Sequence, residues 1–117
     1  MRTGKVYVMR SAGGIVGTLK MATKKPWAID KSYFASAKRP LYLTDMAVTP
    51  DRQRAGVGRQ CLVQAERIAR AWPADAIRLD AYDAVAGAGG FYAKCGYTEV
   101  GRAEFRGVPL IYYELLL

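Results

Sequence analysis

Two glycines set among arginines are the residues of this chain best placed to do chemistry. They lie in Gln53-Arg54-Ala55-Gly56-Val57-Gly58-Arg59. An apolar run, Leu41 to Val48, leads in through Thr49-Pro50-Asp51, and a segment of helical periodicity, Cys61 to Trp72, leads out. The order reads as strand, glycine loop, helix. Glycine lets the backbone turn tightly and come close to a bound group with no Cβ in the way. The first N–H groups of the following helix have no intrahelical partner and sit at the positive end of its dipole. Loop and helix start together make an anion site suited to phosphate, and Arg52, Arg54 and Arg59 add positive charge. The bland reading of a lone G-x-G is a tight strand-to-helix turn. No Gly-Lys-Ser/Thr follows, so this is not a Walker A loop. Cys61 stands where the dinucleotide fingerprint would need its third glycine.

A second block lies downstream: Phe91-Tyr92-Ala93-Lys94-Cys95-Gly96-Tyr97. With it, the Q-x-x-G-x-G spacing resembles the coenzyme A pyrophosphate loop of the GNAT superfamily of N-acetyltransferases. The downstream block resembles that family's F-Y-x-K-x-G-[FY] segment. The resemblance runs from Val6 to Leu117. It implies a third strand and a parallel neighbour that splay apart, with the pantetheine arm of acetyl-CoA in the gap. That arm would hydrogen-bond to backbone near Met46 and Val48, and the Met46 N–H would polarise the acetyl carbonyl. The pyrophosphate would rest on Arg54, Ala55, Gly56, Val57, Gly58 and Arg59. Tyr92 stands at the position of the family's general acid; a phenol of pKa ~10 is protonated at neutral pH and can donate to a departing thiolate. Without the resemblance, Tyr92 reads as a core aromatic beside Phe91. Asp83 stands where the family often has an asparagine that holds the pantetheine arm. An ionised carboxylate accepts but cannot donate, and Asp83 serves equally as an N-cap for a helix starting at Ala84.

The base is open. Some members of that family use a glutamate on the third strand, where this chain has Tyr42. Asp45, three residues along and so expected on the opposite strand face, Glu104, Glu114 or a chain of waters are the alternatives.

Composition narrows the classes. A chain of 117 residues is expected to be one domain, 1–117. It has no histidine, which removes Ser-His-Asp and Cys-His catalysis and the usual zinc sites. Cys61 and Cys95 lack metal-ligand spacing, so no metal is expected and both read as reduced, buried thiols on helix faces. With no secretory leader and no membrane-length apolar run, the expected setting is cytoplasmic, with no membrane partner. The net charge of +8 suits an anionic ligand such as coenzyme A. The basic residues are dispersed, without a stripe of interleaved aromatics, so a nucleic-acid partner is not expected.

The elements that must hold these residues read in order as follows. Lys5–Arg10 and Ile15–Met21 form a hairpin across Ser11-Ala12-Gly13-Gly14. Thr23–Pro40 is a loop whose Trp27, Tyr33 and Phe34 either cap the core or line a substrate mouth. Leu41–Val48 is a strand. Its helix carries an apolar stripe of Leu62, Ala65, Ile68, Ala69 and Trp72 and stops at Pro73. Ala76–Tyr82 is the parallel neighbour, Ala84–Cys95 a second helix with Gly96 at its C-cap, and Tyr97–Phe105 and Val108–Leu117 a closing hairpin. The fold class is α/β, GNAT-like: a mixed, mostly antiparallel sheet with a parallel splayed central pair and two helices. That family opens with a further strand and two helices, which this chain lacks. Strands flanked by crossover helices need cover on both faces, so a homodimer is expected, or else the Thr23–Pro40 loop folds over the gap. The function implied is acetyl transfer from acetyl-CoA to a primary amine of a small molecule or peptide. The alternative is a non-catalytic acyl-CoA-binding module that has lost its acceptor pocket.

Overall fold

Alternating side chains and tight glycine turns build six stretches of the chain into one sheet. The computed structural model describes residues 4–52, 56–83 and 89–117. Its strands are β1 (Gly4–Ser11), β2 (Gly14–Ala22), β3 (Pro40–Val48), β4 (Ala76–Tyr82), β5 (Thr98–Phe105) and β6 (Val108–Leu116). Its helices are α1 (Val57–Ala71) and α2 (Gly89–Lys94). The strands form a six-stranded sheet in the order β1-β2-β3-β4-β6-β5. Only β3 and β4 run parallel; the other described pairs are antiparallel. The expected mixed sheet with two helices is what forms. Arg106 and Gly107 both take positive φ, the conformation that a two-residue hairpin turn between β5 and β6 demands.

One face of the sheet packs on the helices. Leu19, Met21, Leu41, Leu43, Ile77, Leu79, Ile111 and Tyr113 meet Val57, Cys61, Leu62, Ala65 and Ala69 of α1. Ile68 and Trp72, expected in the buried stripe, are only partly covered. Cys61 is buried as expected, and burial pushes its thiol up. Cys95 lies one residue past the end of α2 and is half-buried. The second helix was expected over Ala84–Cys95; residues 84–88 lie outside the described residues. Gly96, with φ 95°, closes α2, and the Tyr97 N–H returns to the Tyr92 carbonyl at 3.1 Å.

The opposite face is covered by the chain's own loop. Ile29 and Phe34 sink against Tyr42, Leu110 and Tyr112 in a second core. The Tyr112 hydroxyl donates to the Ala28 carbonyl at 2.6 Å and accepts from the Asp30 N–H at 3.3 Å. Tyr33 lies edge-on to Tyr112, over a place where a Cβ on Gly101 would collide with its ring. Asp75 accepts from the Lys38 and Arg39 N–H groups at 2.8 and 3.0 Å and so fastens the end of the loop to the start of β4. Of the three loop aromatics, Phe34 caps the core and Tyr33 leans on it. Trp27, 85% exposed, does neither. Ile29, which the sequence reading passed over, has the place expected of a tryptophan.

At the centre of this second core lies a buried ion pair. The Arg78 guanidinium donates to Glu114 Oε2 at 3.1 Å, to the Tyr42 hydroxyl at 3.1 Å and to the Ala35 carbonyl at 2.7 Å. Glu114 Oε1 accepts from the Ala35 N–H at 3.2 Å. The guanidinium also lies 5.0 Å over the Phe34 ring. Removing one partner leaves the other charge buried and uncompensated, which costs about 3–5 kcal/mol, whereas replacing both by apolar residues is often close to neutral. Arg78→Met is therefore expected to lower the stability read from a urea unfolding midpoint by about that amount. The double variant Arg78→Met with Glu114→Leu should recover most of the loss.

Candidate active site

The gap between β3 and β4 is set by where their pairing stops. Only Pro40, Leu41 and Tyr42 pair with Ala76, Ile77 and Arg78. Beyond that point Leu79 to Tyr82 pair with β6 alone among the described residues. Two parallel strands that part after three residues leave backbone N–H and C=O groups of both facing a cleft.

A bulge then decides what β3 presents to that cleft. Thr18 pairs with Ala47 and Lys20 with Thr44, so β3 carries one extra residue opposite Leu19. Asp45 takes φ 54° within it. The extra residue reverses the strand's facing. Leu41 and Leu43 face the helices before the bulge, and Met46 and Val48 do so after it. Met46 and Val48 thus stand together on the core side of the open part of β3. Asp45 is turned outward beside Lys20, Lys24, Lys25 and Trp27, around a surface cavity of about 440 Å³. Regular alternation had placed it on the face opposite Tyr42, and the bulge is why it is not there.

The glycine turn begins α1. Gly56 has φ 83° and ψ 2°, left-handed backbone that a glycine adopts without strain, and among the described residues no side chain caps the helix start. Its missing Cβ would meet open space. Gly58 has a different reason: a Cβ there would lie 3.1 Å from the Phe91 ring, so the second glycine lets α2 approach α1. The sequence reading assigned both glycines to a ligand; only Gly56 faces open space. The first N–H groups of α1 point out of the helix without intrahelical partners, and Arg59 is exposed within its first turn. Arg54 and Ala55 lie outside the described residues.

Tyr92 is buried in a ring cluster, 5.6 Å from Tyr113 and 6.1 Å from Tyr97 between centroids. Its reading as a core aromatic holds. The ring is core, while the hydroxyl has no hydrogen-bond partner among the described residues. Burial, aided by the charge of Asp80, pushes its pKa up to about 12. Tyr97 is raised by burial too, and its buried hydroxyl has no partner among the described residues. Asp83 is half-buried, and its carboxylate pairs with Arg102 at 3.3 Å. Its N–H donates to the Pro109 carbonyl at 2.9 Å.

Of the base candidates, Glu114 is consumed by Arg78 and the Ala35 N–H on the loop-covered face. Tyr42 accepts from the same guanidinium. Glu104 is exposed on β5, two strands removed from β4. The carboxylate beside the gap is Asp80, which the sequence reading missed. It lies on β4 two residues past the last β3 pair and pairs with Tyr112 of β6. Burial pushes its carboxyl up. The only signal in the sequence was a lone acid inside the otherwise apolar run Leu79-Asp80-Ala81-Tyr82.

A splayed parallel pair, a bulged strand at its lip, an open helix N-terminus and a buried phenol form one arrangement. The sequence model of the acetyltransferase (GNAT) domain family matches residues 2–99. The chain belongs to the GNAT family. Among solved structures, a Bacillus anthracis protein assigned as a streptothricin acetyltransferase, in complex with acetyl coenzyme A, superposes with a TM-score of 0.77 at 20% identity. The match covers 100% of this chain and 64% of that one. A Bacillus subtilis acetyltransferase in complex with CoA gives 0.76 at 17% identity, covering 98% and 78%. An acetyltransferase from Bacillus cereus gives 0.72 at 25%, covering 97% and 73%. A comparison with curated protein sequences returned no match. The GNAT relatives extend beyond what this chain spans.

The site makes a prediction that needs no ligand. Tyr92 holds its proton to about pH 12 in the folded chain, against about 10 when unfolded. The folded state thus keeps a proton that the unfolded state releases, and stability falls as pH rises above about 10. In a titration of Cζ-labelled tyrosines followed by NMR, the Tyr92 signal should stay unshifted until about pH 12 or until the chain unfolds. A midpoint near 10 in the folded protein would refute the desolvated phenol.

Proposed function

We propose that this chain is an N-acetyltransferase that moves an acetyl group from acetyl-CoA to a primary amine. The observation that carries this reading is the parting of β3 from β4 beyond Tyr42 and Arg78, with Met46 on one lip and Asp80 on the other. A pantetheine arm is a thin chain of amides that can complete the strand hydrogen bonds left open there. The Met46 N–H would polarise the thioester carbonyl, and the α1 start, from Gly56 through Val57 and Gly58 to Arg59, would take the pyrophosphate. Arg54 and Ala55, expected from the sequence to share that contact, lie outside the described residues. Asp83 would reach the pantetheine arm only as an acceptor, since Arg102 already holds its carboxylate. Tyr92, protonated at neutral pH, would return a proton to the departing thiolate. Acetyl-CoA is the only cosubstrate this scheme needs.

The second reading, an acyl-CoA-binding module without transfer, differs only in the acceptor side. Calorimetry and thiol release separate the two. Acetyl-CoA should bind the parent chain and Gly56→Asn, which tolerates left-handed backbone. It should fail to bind Gly56→Asp, which sets a negative charge against the pyrophosphate. Thiol release onto amines should fall by ~10²–10⁴-fold in Tyr92→Phe, with acetyl-CoA affinity kept. Binding without amine-dependent thiol release would favour the module. Full binding by Gly56→Asp would refute the loop assignment.

For the assembly we carry forward a two-fold homodimer on narrower ground than the sequence suggested. The loop covers the central strands, but β1 keeps a free edge, and Val6 and Val8 are exposed beside it. A free edge strand invites pairing with a second copy. Light scattering at micromolar concentration should read twice the 12.9 kDa of one chain. A monodisperse 12.9 kDa species would show that the loop alone suffices. Among the described residues, no helix is long and apolar enough to cross a membrane.

A further inference from the structure

A cavity of about 770 Å³ opens where β3 begins, at the end of the sheet away from the cleft. Its size is that of a small-molecule site. Leu41, Tyr42 and Trp72 form an apolar floor. Leu41 and Tyr42 are buried, so core packing shuts the cavity from below. Its charged lining residues are Lys25, Lys31, Lys38 and Arg39, all positive, and among the described residues no carboxylate lines it. The rest of the loop holds these cations in place. The Lys25 ammonium donates to the Pro26 and Ile29 carbonyls at 3.0 and 2.6 Å and keeps a third proton to give. The Asp75 carboxylate fixes the backbone of Lys38 and Arg39. Lys31 opens the short helical turn Lys31–Tyr33. The neighbouring acids are spent elsewhere: Asp75 on those two N–H groups, and Asp30 on the Ser32 N–H and hydroxyl at 3.0 and 2.7 Å. Among the described residues none of the four cations has an ion pair. Like charges gathered round one apolar floor repel each other and focus a field that favours an anion.

We propose that this cavity is a second ligand site, which takes a planar aromatic ring carrying several negative charges, as in a nucleoside polyphosphate. The ring lies on Leu41 and Trp72, and the phosphates meet Lys25, Lys31, Lys38 and Arg39. A long acyl chain has no place there, because the floor is closed. The site is distinct from the glycine turn. Gly56 precedes α1 and Trp72 follows it, so the two stand at opposite ends of the helix. Sixteen residues of helical rise separate them by about 24 Å. The inference therefore does not rest on the acetyl-transfer reading.

The test uses the full chain and three probes: ATP in EDTA, adenosine and inorganic tripolyphosphate. Binding is read from the indole N–H signal of Trp72 by NMR. ATP should shift that signal and bind about tenfold tighter or more than either fragment, as charged hydrogen bonds added to ring contact require. The double variant Lys38→Ala with Arg39→Ala should weaken ATP by about tenfold or more. Both side chains are exposed, and the bonds to Asp75 come from backbone N–H groups, which the variant keeps. If that variant does not fold, Lys31→Ala takes its place with the same expectation. Since ATP could also rest on the glycine turn, the titration is repeated with saturating CoA and in Gly56→Asp. An unchanged ATP affinity in both supports the second site. No shift at Trp72, an unchanged affinity in the lysine and arginine variants, or displacement of ATP by CoA overturns it. Tripolyphosphate binding as tightly as ATP overturns the ring contact. The acetyl-transfer reading fails separately: if acetyl-CoA does not bind while ATP still shifts Trp72 in Gly56→Asp, the second site stands and the transferase does not.

Discussion

A single buried guanidinium sits where this sheet divides. Arg78 is in the last pair that joins β3 to β4, and it bonds across that pair to the Tyr42 hydroxyl. It also bonds across the register pair on its other side to Glu114 of β6, and over the face of the sheet to the Ala35 carbonyl. Three strands and a loop therefore meet on one side chain, at the apex of the cleft. A guanidinium suits this task because its planar fork serves several acceptors at once. The pair itself is not a cheap source of stability, since both charges had to leave water. What it supplies is position: pairing ends there, and the strands open beyond it.

Two local irregularities convert the opening into a site. The bulge at Asp45 reverses which residues of β3 face the helices, and so Met46 and Val48 stand at the cleft where unbroken alternation would have put Asp45 and Ala47. The two glycines of the loop divide their work. Gly56 allows a left-handed turn that ends the connection and exposes the start of α1. Gly58 removes a Cβ so that Phe91, and with it Tyr92, can lie close to that helix. The open start of α1 and the buried phenol of Tyr92 are thereby placed by the same short turn.

Charge is distributed with a similar logic. The basic excess lies outside, where it can draw in a polyanion such as coenzyme A. On β4 beside the gap, Asp80 is half-buried with no donor from another described residue.

Much of this was legible in the sequence. The element order, the glycine loop between strand and helix, the Phe91–Tyr97 block and the family they indicate all depend on local spacing, and local spacing is what a sequence displays. The helix stripe from Leu62 to Ala69 and the turn at Arg106-Gly107 follow from period and conformational freedom in the same way. The tertiary structure decided the rest. Whether Thr23–Pro40 left a face bare depended on Ile29 and Phe34 meeting Tyr42, Leu110 and Tyr112, residues 8 to 83 positions away. Whether Glu114 was free to act as a base depended on Arg78, 36 residues distant. Whether Asp45 faced the core depended on one residue inserted against β2. Asp80 stands out only when every other buried acid is seen to have a donor. Each of these is a pairing between distant parts of the chain, and a sequence states which groups exist, while folding determines which of them are left without a partner.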